Sequence, residues 1–177
     1  MSTIKVSTIS PLGTDATKTI TLGESGGTLG IASGAKTSGF GKVGQVVYSS
    51  TSTDESSTSA TYANLTFTAS ITPTSTSSKV LIVYSGFANI YARSNNTDYG
   101  MAKLVRGGST DLVQFADQLG YYGNTTAESN NIMNVSYLDS PSTTSATTFG
   151  IAIRVNSDSQ CAFKVRDQQI TLLEILD

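Results

Sequence analysis

A chain of 177 residues with a net charge of −2, a single cysteine and no histidine excludes several kinds of chemistry at once. No basic cluster offers the electrostatic footprint that nucleic acid needs. Without histidine there is no Ser-His-Asp or Cys-His triad and no common zinc site, and the lone Cys161 cannot close an intrachain disulfide.

Residues 1–40 differ in character from the rest of the chain. Ser2-Thr-Ile-Lys-Val-Ser-Thr-Ile9 alternates polar and apolar, Ser10-Pro11-Leu12-Gly13 turns, and a Thr-Leu-Gly motif occurs at 21–23 and again at 28–30. These pieces are too short and too poor in apolar residues to build a core of their own. We read 1–40 as an extended arm and 41–177 as the main domain. The residues after Met1 lack the continuous apolar core of a secretory signal, and no stretch is long enough for a helical membrane span.

The passage between the two contains a literal G-x-G-x-x-G, Gly39-Phe40-Gly41-Lys42-Val43-Gly44. A dinucleotide site needs a strand before this motif and a helix after it. Here a loop precedes and the strand-like Gln45-Val46-Val47-Tyr48 comes next, so the glycines read as a hinge and no cofactor is expected.

From Val43 onward the periodicity is that of strands. Expected strands are 43–50, 61–71, 79–92, 99–106, 110–116, 131–138, 147–155, 160–165 and 169–176. Leu65, Phe67, Ala69 and Ile71 alternate with Thr66, Thr68 and Ser70; Phe149, Ile151, Ile153 and Val155 repeat the pattern. Polar clusters at 49–59, 73–78 and 140–145 read as turns. Arg106-Gly107-Gly108-Ser109 and Asn156-Ser157-Asp158-Ser159 read as hairpin turns. Abundant Ser and Thr with scarce Pro and no Trp fit such strands better than helices. The expected fold is all-β, an antiparallel β-sandwich of jelly-roll type.

One strand stands apart. Lys79–Ala92 is apolar on both faces: Val80, Ile82, Tyr84, Ala88 and Ile90 on one, Leu81, Val83, Phe87 and Tyr91 on the other. A buried helix of that length is the alternative, but Gly86 and the β-branched content favour a strand. A strand apolar on both faces requires cover on both. The second face is expected to meet either the C-terminal strand or a sister subunit.

Catalytic candidates are sparse. The acids Asp54, Glu55, Asp98, Asp111, Asp117, Glu128, Asp139, Asp158, Asp167 and Glu174 lie mostly in or beside expected turns, and no spacing singles out a glycosidase-like pair. Asn95-Asn96-Thr97-Asp98 supplies oxygen atoms but not the EF-hand order, so it reads as a polar loop tip and no metal site is expected. The most suggestive loop is Gly120-Tyr121-Tyr122-Gly123-Asn124-Thr125. Tyr121, Tyr122 and Asn124 could hold a ligand, since a tyrosine ring stacks while its hydroxyl bonds; tyrosines folded onto the core or a subunit seam are the alternative. Cys161 reads as a small core residue.

Several of these motifs, taken together, resemble virion proteins of marine bacteriophages, of the tail-fibre or capsid-fibre type. They are Met1-Ser-Thr-Ile-Lys-Val-Ser-Thr-Ile9, Gly41-Lys-Val-Gly-Gln-Val-Val47, Ile71-Thr-Pro-Thr-Ser-Thr-Ser-Ser-Lys-Val-Leu81, Lys103-Leu-Val-Arg-Gly107, Leu138-Asp-Ser-Pro141 and Ile170-Thr-Leu-Leu-Glu-Ile175. The resemblance implies a homotrimer in the virion, with an N-terminal arm that attaches to other virion proteins and a β-rich head. The chain departs from a long tail fibre in lacking a shaft, which favours a short fibre, spike or decoration protein. A receptor-binding adhesin that takes a host surface glycan on its head loops is the alternative.

Overall fold

In a computed structural model, the chain divides into two units, Met1–Ser38 and Gly39–Asp177. The structure describes residues 43–92, 98–121, 127–156 and 161–176, and the fold is that of these residues.

The described strands are β1 (Val43–Thr51), β2 (Glu55–Ser57), β3 (Ala63–Ile71), β4 (Lys79–Ala92), β5 (Asp98–Arg106), β6 (Thr110–Tyr121), β7 (Ala127–Asp139), β8 (Thr147–Val155) and β9 (Cys161–Ile175). They form two antiparallel sheets. One has the order β1-β9-β4-β7, with β2 added along β9; the other has the order β3-β8-β5-β6. The pairs β5·β6, β4·β7, β3·β8 and β1·β9 are nested, first strand with last and inward from there. That is one long antiparallel ribbon rolled up so that its halves stack, and the β4·β9 and β5·β8 pairings close the roll. The all-β sandwich of jelly-roll type is therefore the observed fold.

Alternation along the strands builds the core. Val80, Ile82, Tyr84, Ala88 and Ile90 of β4 and Phe163, Val165, Ile170 and Leu172 of β9 face Leu65, Leu104, Phe149, Ile151 and Ile153 of the other sheet, all buried. Cys161 lies buried among them, as expected of a small core residue. At Gly100 of β5 the opposite sheet presses close to the backbone. A Cβ there would stand 2.5 Å from Ile90 Cδ1 and 2.6 Å from Phe163 Cδ1, so only glycine lets the backbone approach.

Three expectations are corrected. Residues 49–59 are not all turn, because Glu55–Ser57 pairs with Phe163–Val165. The expected strands 160–165 and 169–176 are one strand. Asp167, at φ 50°, forms a bulge that places Arg166 and Asp167 outward in succession and returns Gln168 to the interior, so pairing with β4 resumes after a one-residue shift. A strict period-2 reading breaks at that point. The expected hairpin at 156–159 does not join paired strands: β8 lies between β3 and β5, whereas β9 lies between β1 and β4. By contrast, Arg106 and Thr110 do pair around Gly107 and Gly108, whose φ values of 59° and 71° a side chain would resist.

Candidate interaction surface

The strand pairings define two opposite ends of the sandwich. Val43, through which the preceding residues join the domain, pairs with Ile175, and Ile175 pairs with Lys79. At the far end of β4, Ala92 pairs with Ala127 and Cys161, and in the other sheet Asp98 pairs with Tyr121. The strand ends that flank 93–97, 122–126 and 157–160 thus gather at the end opposite to Val43. A 14-residue strand at about 3.3 Å per residue separates the two ends by about 46 Å. Of the candidate ligand residues, Tyr121 closes β6 at this far end; Tyr122 and Asn124 lie outside the described residues.

The entry end is held by buried polar groups that periodicity alone does not reveal. Glu174 is fully buried on β9. Its carboxylate accepts from Gln45 Nε2 (2.8 Å), Thr74 N (2.6 Å) and Thr74 Oγ1 (2.7 Å), tying β1 and the β3–β4 connection to β9. Burial pushes its pKa up, but the hydrogen bonds from Gln45 and Thr74 outweigh that and hold it below the usual carboxylate value. A lone acid inside the apolar run Ile170–Leu176 was its one sequence signal. Nearby, Arg106 Nη1 of β5 donates to both carboxylate oxygens of Asp139 on β7, at 2.9 and 2.7 Å, and so joins the two sheets.

A second network lies mid-sandwich. β3 bulges from β8 between Asn64 and Thr68, which frees the backbone N–H groups of Thr66 and Phe67 from the ladder. Both donate instead to the Glu55 carboxylate of β2. Gln168 Nε2 donates to the same carboxylate (3.1 Å), and Gln168 Oε1 accepts from the Tyr84 hydroxyl (3.1 Å). Burial raises the Glu55 pKa, and the hydrogen bonds from Thr66, Phe67 and Gln168 more than reverse this. Burial, with the nearby Glu55 charge, pushes the Tyr84 phenol well above its usual range, so Tyr84 stays a donor. Each of these carboxylates accepts three hydrogen bonds from structural donors. Among the described residues no group of three His, Cys, Asp or Glu is placed to hold a metal ion.

The broad surface with the strongest chemical character is the outer face of the β1-β9-β4-β7 sheet. Register aligns Val46, Leu173, Leu81 and Leu138 in one row across all four strands, and Tyr48, Thr171, Val83 and Ser136 in the next. Val46, Tyr48, Val83 and Leu138 are exposed, and Ile132 on the same face is 72% exposed beside Phe87. Among the described residues, the second face of β4 is therefore uncovered. The C-terminal strand does not cover it, because β9 lies beside β4 in the same sheet.

No family model matches the chain, and no curated protein matches it. Among solved structures it is similar to the crystal structure of the infectious bursal disease virus VP2 subviral particle, with a TM-score of 0.36 and 13% identity over 75% of this chain. A structure of the Gx strain of infectious bursal disease virus gives a TM-score of 0.35 and 12% identity over 84% of this chain. The chain spans only 37% and 42% of those two chains.

Proposed function

We propose that this protein is a non-enzymatic structural component of a bacteriophage virion: a short fibre, spike or decoration protein, self-associated as a homotrimer. Residues 1–40 attach it to other virion proteins of the capsid or tail, and the head projects outward. The observation that carries the reading is the separation of the two ends. The chain enters the head at Val43, while the strand ends that flank 93–97, 122–126 and 157–160 gather at the opposite end. A protein that docks through its N-terminal segment and presents loops to the outside needs that polarity. The sequence motifs resembling marine phage virion proteins agree with it, and jelly rolls recur in viral capsid domains; because fold alone does not fix function, this agreement is supporting only.

Purified particles test the reading. Immunogold labelling with an antibody against the head is expected to decorate the particle exterior, and mass spectrometry to find the chain in stoichiometric amount. Particles free of the chain would overturn it.

The convergence of strand ends at Ala92, Asp98, Tyr121, Ala127 and Cys161 favours a second reading, in which the head is an adhesin for a host surface glycan. Particles carrying Tyr121→Ala and Tyr122→Ala are then expected to adsorb at least about tenfold more slowly, since each stacked ring is worth on the order of 1 kcal/mol. Unchanged adsorption would remove these residues from the reading.

A further inference from the structure

The two outer faces of the sandwich have opposite chemistry. On the β3-β8-β5-β6 sheet, Thr66, Thr68 and Ser70 face outward, Lys103 pairs with Asp111 at 2.6 Å, and Lys103 and Arg154 stack on Tyr62. That face is made for water. On the other sheet the rows through Leu81, Val83 and Ser85 hold no charged residue across all four strands. Charged side chains of this face flank those rows on both sides: exposed Lys79 lies at the entry end, and toward the far end Arg166 covers the Phe87 ring at 4.4 Å while Lys164 pairs with Asp54.

We infer that the outer face of the β1-β9-β4-β7 sheet is the surface through which copies of this chain associate, uncharged rows against uncharged rows. The inference deepens the self-association proposed above and rests on it. Size decides whether the face suffices. Strands of 9, 15, 14 and 13 residues, at about 3.3 Å per residue and about 4.8 Å apart, span roughly 800 Å². A stable interface buries about 800 Å² per partner, so the whole face meets that requirement. The uncharged rows alone, roughly half of it, would not. Chemistry selects the occupant. A partner must be free of charge over the same rows, and of the two broad faces of the sandwich only this one meets that condition, so the face suits the same face of sister copies. The engaged Arg166 and Lys164 then form a polar rim beside the apolar centre, the usual arrangement of a subunit contact.

Sedimentation of the full chain across a micromolar concentration series tests the assignment. The wild type is expected to sediment as an oligomer. Val83→Asp and Leu138→Asp, both at exposed positions, are expected to raise the dissociation constant at least about tenfold each, whereas Thr68→Asp on the opposite sheet leaves it unchanged. Val83→Ser and Leu138→Ser, checked by circular dichroism, serve if an aspartate variant misfolds. A single chain at every concentration overturns the inference, whatever else covers the face. An oligomer indifferent to all four substitutions also overturns it while leaving self-association intact. Particle composition is measured separately, so an oligomer of the expected kind that is missing from virions would sink the virion role alone.

Discussion

Replacing Phe163 with alanine is expected to lower the unfolding free energy by about 3–5 kcal/mol, the range for emptying a buried aromatic site. Phe163 is wholly buried, pairs with Ile90 across the β4·β9 ladder, and packs on the Gly100 backbone of the opposite sheet. The site cannot collapse freely, because both neighbours belong to strands paired on each side. Gly100→Ala acts from the other direction. Its methyl would overlap the Phe163 ring and Ile90, costing about 1–3 kcal/mol by overpacking. The two effects are therefore coupled: in the Phe163→Ala background the ring clash is gone and the Ile90 side chain can turn into the vacated space, so part of the Gly100→Ala penalty disappears. Urea titration of the two single variants and the double variant measures this. Strict additivity would show that the sheets do not meet at this point.

Glu174→Ala is expected to destabilise by about 1–3 kcal/mol, because it removes the buried charged acceptor of the part-buried donors Thr74 N and Gln45 Nε2. The same carboxylate makes stability depend on pH, and Glu55 acts with it. Both have folded-state pKa values below the ordinary value of 4.5. A depressed carboxylate pKa adds stability that is fully present above the unfolded value and disappears as pH falls through the folded one. The denaturation midpoint is thus expected to be level near neutrality and to fall progressively below about pH 4.5. Glu174→Gln should flatten part of that decline, so that wild type and variant converge in acid. A midpoint indifferent to pH between 6 and 3, on the order of the carboxylate range, would contradict the network.

Much of the strand content was legible because period-2 alternation reports directly on which side chains face a core. Lys79–Ala92 and Thr147–Val155 are read at their true limits, and Leu65, Ile71, Phe149 and Ile153 were correctly placed inside. What escaped were places where alternation fails for a local reason. The Asp167 bulge divides one strand into two apparent ones. Glu55–Ser57 has too few apolar residues to announce a strand and is held by its ladder to β9 and by the Glu55 carboxylate. Of the ligand candidates, only Tyr121 falls among the described residues, so the loop reading rests on residue type and on the position of its strand ends.

By itself, the sequence determined the all-β class, most strand limits, the inner face of the strands ending at Ile71 and Val155, and the absence of histidine and disulfide chemistry, since these depend on composition and nearest-neighbour periodicity alone. The two-faced strand at 79–92 also announced that its second side would need a partner. Only the tertiary structure decided the nested strand order, the close approach at Gly100, and the roles of Glu55, Gln168 and Glu174. Those depend on which distant segments become neighbours, and alternation along one strand carries no information about the strand beside it. The same pairing aligned Val46, Leu173, Leu81 and Leu138 from four separate stretches into a single apolar row. It also set β9 beside β4 instead of over it, and so left that face open.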